Sequence, residues 1–344
     1  MVHYDMARPL RIEGEGFWYH VIARGDDGRT LFSCEREHRH FLERLEQVAA
    51  LFKLEIHAYA LMRTHVHLFV RTPMANLGRS MQRLLTGYSV WYNRRNERTG
   101  HVFQGRYKAF VVDRDSYGLE VSRYIHLNPA RALASHDLEE LRGVARSYEW
   151  SSYAAYVGLA PAPSFLHIED TLGRFGGVTS AGRANYAWFV EEGLLHDLPD
   201  LKDDVCAQSV LGSERFMERM RCLAAAHGSL DATAHRNKRR LCSVPIQRVI
   251  EAVAALYQVS PQELCAARRS RSEARRVLLW AAHTWCSGAL SLPQIGAAMG
   301  GISGFAVSKA ASRVSADCQH NNDLKSQLSR LEEQFTTVPK HGVA

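Results

Sequence analysis

The sequence predicts an α+β protein: a sheet-bearing first part of βαββαβ order, then an all-α C-terminal part. Three observations carry this. Aromatic and β-branched runs alternate with helically spaced apolar stripes up to Pro129. The stretch 157–164, with Gly158, Pro161 and Pro163, interrupts that pattern. From Val244 onward only helical spacing recurs.

Phe17 to Gly25 is aromatic and β-branched and ends at glycine, so it reads as a strand. Phe41, Leu42, Leu45, Val48 and Leu51 recur at helical spacing between Glu37 and Leu51. Glu55–Leu61 and Val66–Arg71 read as two strands joined by Met62-Arg63-Thr64, which makes a hairpin. Asn76–Asn96 reads as a long helix on Leu77, Met81, Leu84, Leu85, Tyr88 and Trp91. Gly105–Asp113 reads as a fourth strand. Asp115–Leu127 reads as a helix that stops ahead of Pro129, because proline disfavours helical backbone in the residue before it. This order is the ferredoxin-like split pattern, which several nucleic-acid-handling folds share.

The chain has 344 residues, 46% hydrophobic and 23% charged, which is ordinary for a globular protein of two or three domains. Its formal charge is +7, a balance that favours a polyanionic partner. No apolar run is long enough to span a bilayer, and Met1–Met6 lacks a basic-then-apolar leader pattern, so a cytoplasmic location without membrane contact is expected. The seven cysteines are scattered with no CxxC pair, which argues for reduced thiols and against a zinc site.

Two stretches carry candidate chemistry. In Leu61–Val70, His65 and His67 are separated by one residue, so on a strand they point to the same side while Val66, Leu68 and Val70 point into a core. Two imidazoles side by side make half of a metal site, although an isolated His-x-His is more often an ordinary surface pair. In Tyr124-Ile125-His126-Leu127-Asn128-Pro129, Tyr124 and Asn128 are four apart and lie one above the other on a helix. A phenol is an oxygen nucleophile and an amide oxygen is a hard ligand. Taken alone, these residues also suit a half-buried tyrosine and a C-cap.

Tyr19-His20-Val21 with Arg24-Gly25, Ala60-Leu61-Met62 through His65-Val66-His67, Gly105-Arg106-Tyr107-Lys108, Tyr124 through Pro129, and Trp150-Ser151-Ser152-Tyr153 occur in the order found in one family. Over about the first 155 residues the chain resembles the REP-associated tyrosine transposases, single-tyrosine enzymes of the HUH class. The resemblance implies His65, His67 and Asn128 as ligands of a divalent ion, Mg2+ or Mn2+, and Tyr124 as the nucleophile. Family members often carry glutamine where Asn128 stands. Tyr117, two turns before Tyr124 on nearly the same face, competes for the nucleophile's role; Tyr124 is preferred because only it has the oxygen ligand four residues on. The implied reaction is attack of the phenol on a phosphodiester, leaving a 5′-phosphotyrosine and a 3′-hydroxyl that can reverse the step. His126 faces away from the Tyr124–Asn128 row and takes no role.

The expected substrate is single-stranded or hairpin DNA. Arg63, Arg79, Arg83, Arg94, Arg95, Arg106 and Lys108 are the cations expected to track its phosphates, and Arg94, Arg95 and Arg106 are the best of them. Tyr88, Trp91, Tyr92, Phe103 and Tyr107 are interleaved with them and are read mostly as core. Residues 158–243 read as a linker and helical connector, with Tyr186, Trp188, Phe189 and Val190 as a small apolar cluster. Residues 244–335 resemble the duplex-binding C-terminal domain of the replication initiator DnaA through Leu292-Pro293-Gln294-Ile295-Gly296, an arginine cluster and helix-turn-helix spacing around Gly300-Gly301. That family's base-reading stretch is replaced by Ile302–Ala306, so initiator-box specificity is not carried over. Arg268, Arg269, Arg271, Lys309 and Arg313 are the expected duplex contacts.

The expected function is that of a metal-dependent transposase or nuclease in residues 1–157, followed by an added DNA-binding domain, with a homodimer allowed. The alternative on the same fold is a non-catalytic DNA-binding regulator. A small-molecule metal enzyme using the His-x-His pair is a weaker third reading, since it leaves the arginine clusters unexplained.

Overall fold

The computed structural model describes residues 12–195, 209–226, 243–266 and 272–336. They fall into two compact units, one spanning residues 11–216 and the other carrying the chain from Met217 onward.

The first unit runs β1 (Phe17–Arg24), α1 (Glu35–Phe52), β2 (Glu55–Met62), β3 (His65–Thr72), α2 (Leu77–Arg95), β4 (Lys108–Val112), α3 (Arg114–Arg131), α4 (Leu138–Ser147), α5 (Tyr153–Tyr156), α6 (Glu169–Gly173), α7 (Ser180–Glu192) and β5 (Val210–Leu211). A further helix, α8 (Glu214–Ala226), follows. The sheet order is β2-β3-β1-β4-β5. The first four strands pair antiparallel, and β5 adds a two-residue parallel edge on Val111 and Val112.

Strand alternation divides the sheet into two faces. Tyr19, Val21, Val66, Leu68 and Val70 are buried on the side that receives α1 and α2. These helices bring Phe41, Leu45 and Val48, and Leu77, Met81, Leu84 and Tyr88, at spacings of three and four. The Tyr88 hydroxyl donates to Leu31 O at 2.6 Å and that of Tyr92 to Thr30 O at 2.9 Å. Tyr88, Tyr92, Phe103 and Tyr107 are buried, in keeping with a core role. The other face carries Ala58, Ala60, Phe69 and Val112, and α3 covers it with Val121 and Ile125.

Two elements differ from the sequence reading. α3 does not stop at Leu127 but continues through Pro129 to Arg131. The proline removes one hydrogen bond close to the helix end, where burial of Leu127, Pro129 and Ala130 outweighs it. β4 begins at Lys108 rather than Gly105, because Gly105 takes a left-handed φ of 60° that a strand does not accommodate.

The described part of the expected connector up to Phe216 is integral to this first unit. Leu61 N donates to Trp150 O, Ser152 N to Tyr59 O, and His167 N to Ile56 O, so segments 150–152 and 166–167 seal the outer edge of β2. His126 is fully buried, bonded to Tyr186 Oη and Ser152 Oγ at 2.7 Å each, and burial pushes its pKa down to about 3. Tyr186 and Val190 are core, whereas Trp188 is 68% exposed, because the helical period turns it away from its neighbours.

The second unit contains α9 (Ile246–Tyr257), α10 (Pro261–Ala266), α11 (Glu273–Cys286), α12 (Leu292–Ala298), α13 (Gly304–Asp317) and α14 (Asn322–Thr336). Val249, Val253, Val277, Leu278, Ile295, Val307 and Leu328 form its core. Gly296 lets the turn after α12 fold back: a Cβ there would lie 2.1 Å from Ile302 O. Arg275, part of the arginine crowd in the sequence, is buried; its guanidinium donates to the carbonyls of Leu264, Cys265 and Met299, so it is an internal brace. Arg268, Arg269 and Arg271 lie outside the described residues. Among the described residues no helix is long and apolar enough to cross a membrane.

Candidate active site

His65 and His67 sit at the start of β3, beside the tight turn at Arg63-Thr64. That turn is held by neighbouring backbone: Gly25 N donates to Thr64 O at 2.8 Å and Leu31 N to Arg63 O at 2.7 Å. Both imidazoles emerge on the α3 face, with ring centroids 4.9 Å apart. His67 is buried and His65 half-buried.

A third histidine, not singled out in the sequence, joins them. Ile22 is the residue opposite His67 in the β1–β3 register, so His20, two residues earlier, shares its face as a diagonal neighbour. His20 Nε2 is 3.0 Å from His67 Nδ1 and the rings stack at 5.2 Å. The signal was present in Tyr19-His20-Val21, but the pairing register that gives it meaning is a tertiary fact.

From above the sheet, α3 contributes Tyr124. Its half-buried ring meets His67 edge-on at 5.6 Å and His20 at 5.7 Å. Tyr117 packs against the apolar cluster that contains Phe69, Val121 and Ile125, as Tyr124 also does. Asn128, one turn beyond Tyr124, uses its amide nitrogen on Tyr124 O at 3.4 Å, so Oδ1 is the atom it can offer. Arg131, a further turn along the same row, carries its guanidinium 5.6 Å from the centre of the Tyr124 ring. Its spacing of seven from Tyr124 was legible, but nothing in the sequence singled it out.

The donor set suits a divalent ion in one respect that the geometry supplies. His67 engages His20 through Nδ1, and His65 meets Thr64 Oγ1 through Nδ1 at 3.2 Å. Each ring is thereby held through Nδ1, an arrangement compatible with a histidine that could hold a metal ion. Among the described residues no three His, Cys, Asp or Glu side chains are grouped to share an ion.

The expected DNA-contacting cations lie on several separate elements. Arg63 is exposed at the β2–β3 turn and Lys108 at the start of β4. Arg94 and Arg95 occupy the last turn of α2, where cations suit the helix dipole. Arg83 stands beside Arg44, which donates to its carbonyl. Arg79 and Arg106 line one groove between α2 and the segment before β4. In the second unit, Lys309 and Arg313 are exposed on α13.

Residues 15–128 match the family model described as transposase IS200-like. The matched segment is less than half of the chain and contains β1 through Asn128, including His20, His65, His67 and Tyr124. A solved structure of a REP-associated tyrosine transposase bound to a REP hairpin is similar at 14% identity, covering 48% of this chain and 92% of that one, with a TM-score of 0.36. No curated protein matches the chain.

Proposed function

We propose that this chain is a metal-dependent transposase-type nuclease that cleaves and rejoins single-stranded or hairpin DNA through a 5′-phosphotyrosine on Tyr124. The observation that carries the reading is the edge-on packing of Tyr124 against His67 and His20 on one sheet face, inside a segment that matches the IS200-like transposases. The strand order β2-β3-β1-β4 with antiparallel neighbours is that of a ferredoxin-like βαββαβ unit, which supports it.

His65, His67 and Asn128 would hold a Mg2+ or Mn2+ ion, which would supply neutralisation of charge at the scissile phosphate. Tyr124 Oη attacks phosphorus as its proton passes to solvent; the P–O3′ bond breaks and the released oxygen takes up a proton as a 3′-hydroxyl. Attack by a 3′-hydroxyl on the phosphotyrosine runs the same step backwards and rejoins the strand. Arg131, beside the phenol, adds positive charge for the phosphate and for the ionising oxygen. His20 fixes His67 in orientation.

For the second unit we assign a duplex-holding role to the exposed face of α13, where Lys309 and Arg313 stand and Phe305 is 76% exposed. The two helices α12 and α13 around Gly300-Gly301 would then act as a helix-turn-helix pair.

The test is incubation with a labelled hairpin oligonucleotide and Mn2+ or Mg2+, followed by denaturing electrophoresis. A protein–DNA adduct that persists in denaturant, is lost in Tyr124→Phe and is kept in Tyr117→Phe is the expected result. Adduct loss only in Tyr117→Phe moves the nucleophile. DNA binding that survives EDTA, with no cleavage under either metal, selects the non-catalytic regulator.

A further inference from the structure

We propose that Arg24 is a catalytic residue whose guanidinium hydrogen-bonds the O3′ that leaves phosphorus when Tyr124 attacks; this rests on the reaction proposed above. Three observations place it there.

The first is register. Paired residues on neighbouring antiparallel strands point to the same side, with Cβ atoms about 5 Å apart. Arg24 is the partner of His65 between β1 and β3, and it alternates onto the same face as His20 and Ile22. That face carries both candidate ligand histidines and meets Tyr124. The backbone beneath the side chain is pinned: Arg24 O accepts from Gln104 N at 2.8 Å, and Gly25 N donates to Thr64 O at 2.8 Å.

The second is the direction in which the site opens. Two rows of side chains cross this face, Met62–His65–Arg24 and Ala60–His67–Ile22–Lys108. Met62, Ala60 and His67 are buried, His65 and Ile22 are half-buried, and Arg24 and Lys108 are exposed. Tyr148, whose hydroxyl donates to Leu61 O at 2.7 Å, packs on the cluster that contains Ala60 and Met62. The β2 side of the histidine pair is therefore filled by packed side chains, and the rows open toward Arg24 and Lys108.

The third is charge on the side opposite the nucleophile. Arg71, on the same face at the other end of β3, is held by Glu55 at 2.8 and 3.0 Å. Among the described residues no carboxylate is paired with Arg24 in this way. Tyr124 stands over His20 and His67 with Arg131 beside its ring. Rows on one face are about 7 Å apart along a strand, so Arg24 lies one row beyond His67 and two beyond His20. Phosphoryl transfer keeps the attacking and leaving oxygens roughly in line through phosphorus. A phenol that enters over His20 and His67 sends O3′ out toward the row of Arg24. The Tyr124 Oη–P bond forms as the P–O3′ bond breaks, and the electron pair departs with O3′. The guanidinium donates hydrogen bonds to that oxygen as charge develops, and solvent supplies its proton. In rejoining, the same donors hold the 3′-hydroxyl oxygen for attack on the phosphotyrosine.

The experiment uses the full chain and the hairpin oligonucleotide of the adduct assay, with the scissile linkage located from the length of the released strand. That linkage is then prepared with its bridging 3′ oxygen or with sulfur in its place. A thiolate is a good leaving group that departs without a cation's help. With the oxygen linkage, Arg24→Ala is expected to slow single-turnover adduct formation about 100-fold at saturating DNA, and Arg24→Lys about tenfold. With the sulfur linkage and the same ion, both variants are expected to match the parent within about threefold. Melting temperatures are measured alongside, and if the alanine variant lowers its own, Arg24→Lys decides. Equal slowing with both linkages overturns the leaving-group role, as does an unchanged rate with oxygen; the parent's adduct then leaves the Tyr124 reading intact. No adduct from the parent with either linkage overturns this role together with the reaction beneath it.

Discussion

His20 Nε2 lies 3.0 Å from His67 Nδ1, across two neighbouring strands. This contact commits one nitrogen of His67 and leaves that ring with little freedom to rotate, as it would be if His67 held a metal ion as proposed. His20→Ala is expected to weaken Mn2+ binding about 10–100-fold and to lower cleavage in parallel. Calorimetric metal titration checks the first effect. Saturating Mn2+ should restore most of the cleavage, since His65 and Asn128 are intact.

Arg131 lies over the ring of Tyr124 without being part of the metal's expected ligand set. Arg131→Ala is expected to slow adduct formation about 10- to 100-fold at saturating DNA while leaving metal affinity unchanged. Arg131→Lys should recover part of the rate, because it restores charge but not the planar fork. Equal rates for the alanine variant and the parent would remove Arg131 from the reaction.

The Tyr186 hydroxyl holds two buried groups at once, Ser122 Oγ at 2.5 Å and His126 at 2.7 Å. Tyr186→Phe keeps the ring and strands both partners. Its expected cost is about 1–3 kcal/mol in urea unfolding, with the far-ultraviolet spectrum retained.

His57 is buried against the Trp18 ring at 4.2 Å, and burial lowers its pKa to about 4, opposed in part by Asp170 and Glu55 and aided by His167. The unfolded chain takes up a proton near pH 6.5, whereas the folded chain resists it until about 4. Stability is therefore fully present above pH 6.5 and falls as the pH drops toward 4, by up to about 3 kcal/mol from this group. His57→Phe, which keeps an aromatic ring beside Trp18, should flatten the profile in that window. It should not level it, because His38 and His126 shift in the same direction. An unchanged slope in urea melts between pH 7 and pH 4.5 would refute the assignment.

In the second unit, a methyl group at Gly296 meets the Ile302 carbonyl, which is backbone and cannot swing aside. Gly296→Ala is expected to destabilise this unit by about 1–3 kcal/mol, read as an earlier melting step by calorimetry.

The order of the first seven elements was legible because each is a local fact: period two in Phe17–Arg24 and His65–Thr72, period near 3.6 in Leu77–Arg95. Local spacing also sufficed to pair Tyr124 with Asn128, and to set His65 and His67 on one face. Where local signals competed with packing they misjudged boundaries. Pro129 reads as a stop, yet the buried neighbours of α3 carry the helix past it. Trp188 reads as core, yet its side of α7 faces outward.

What the sequence determined by itself was therefore the identity and spacing of the chemical groups along each element, since those depend only on backbone periodicity. What only the tertiary structure decided was which groups meet. The β1–β3 register brought His20 to His67, the packing of α3 on the sheet brought Tyr124 to both, and the approach of the 100–107 segment to α2 joined Arg79, Asn93 and Arg106 in one groove. Such meetings are set by strand pairing and by burial between residues far apart in the chain, and no local period encodes them.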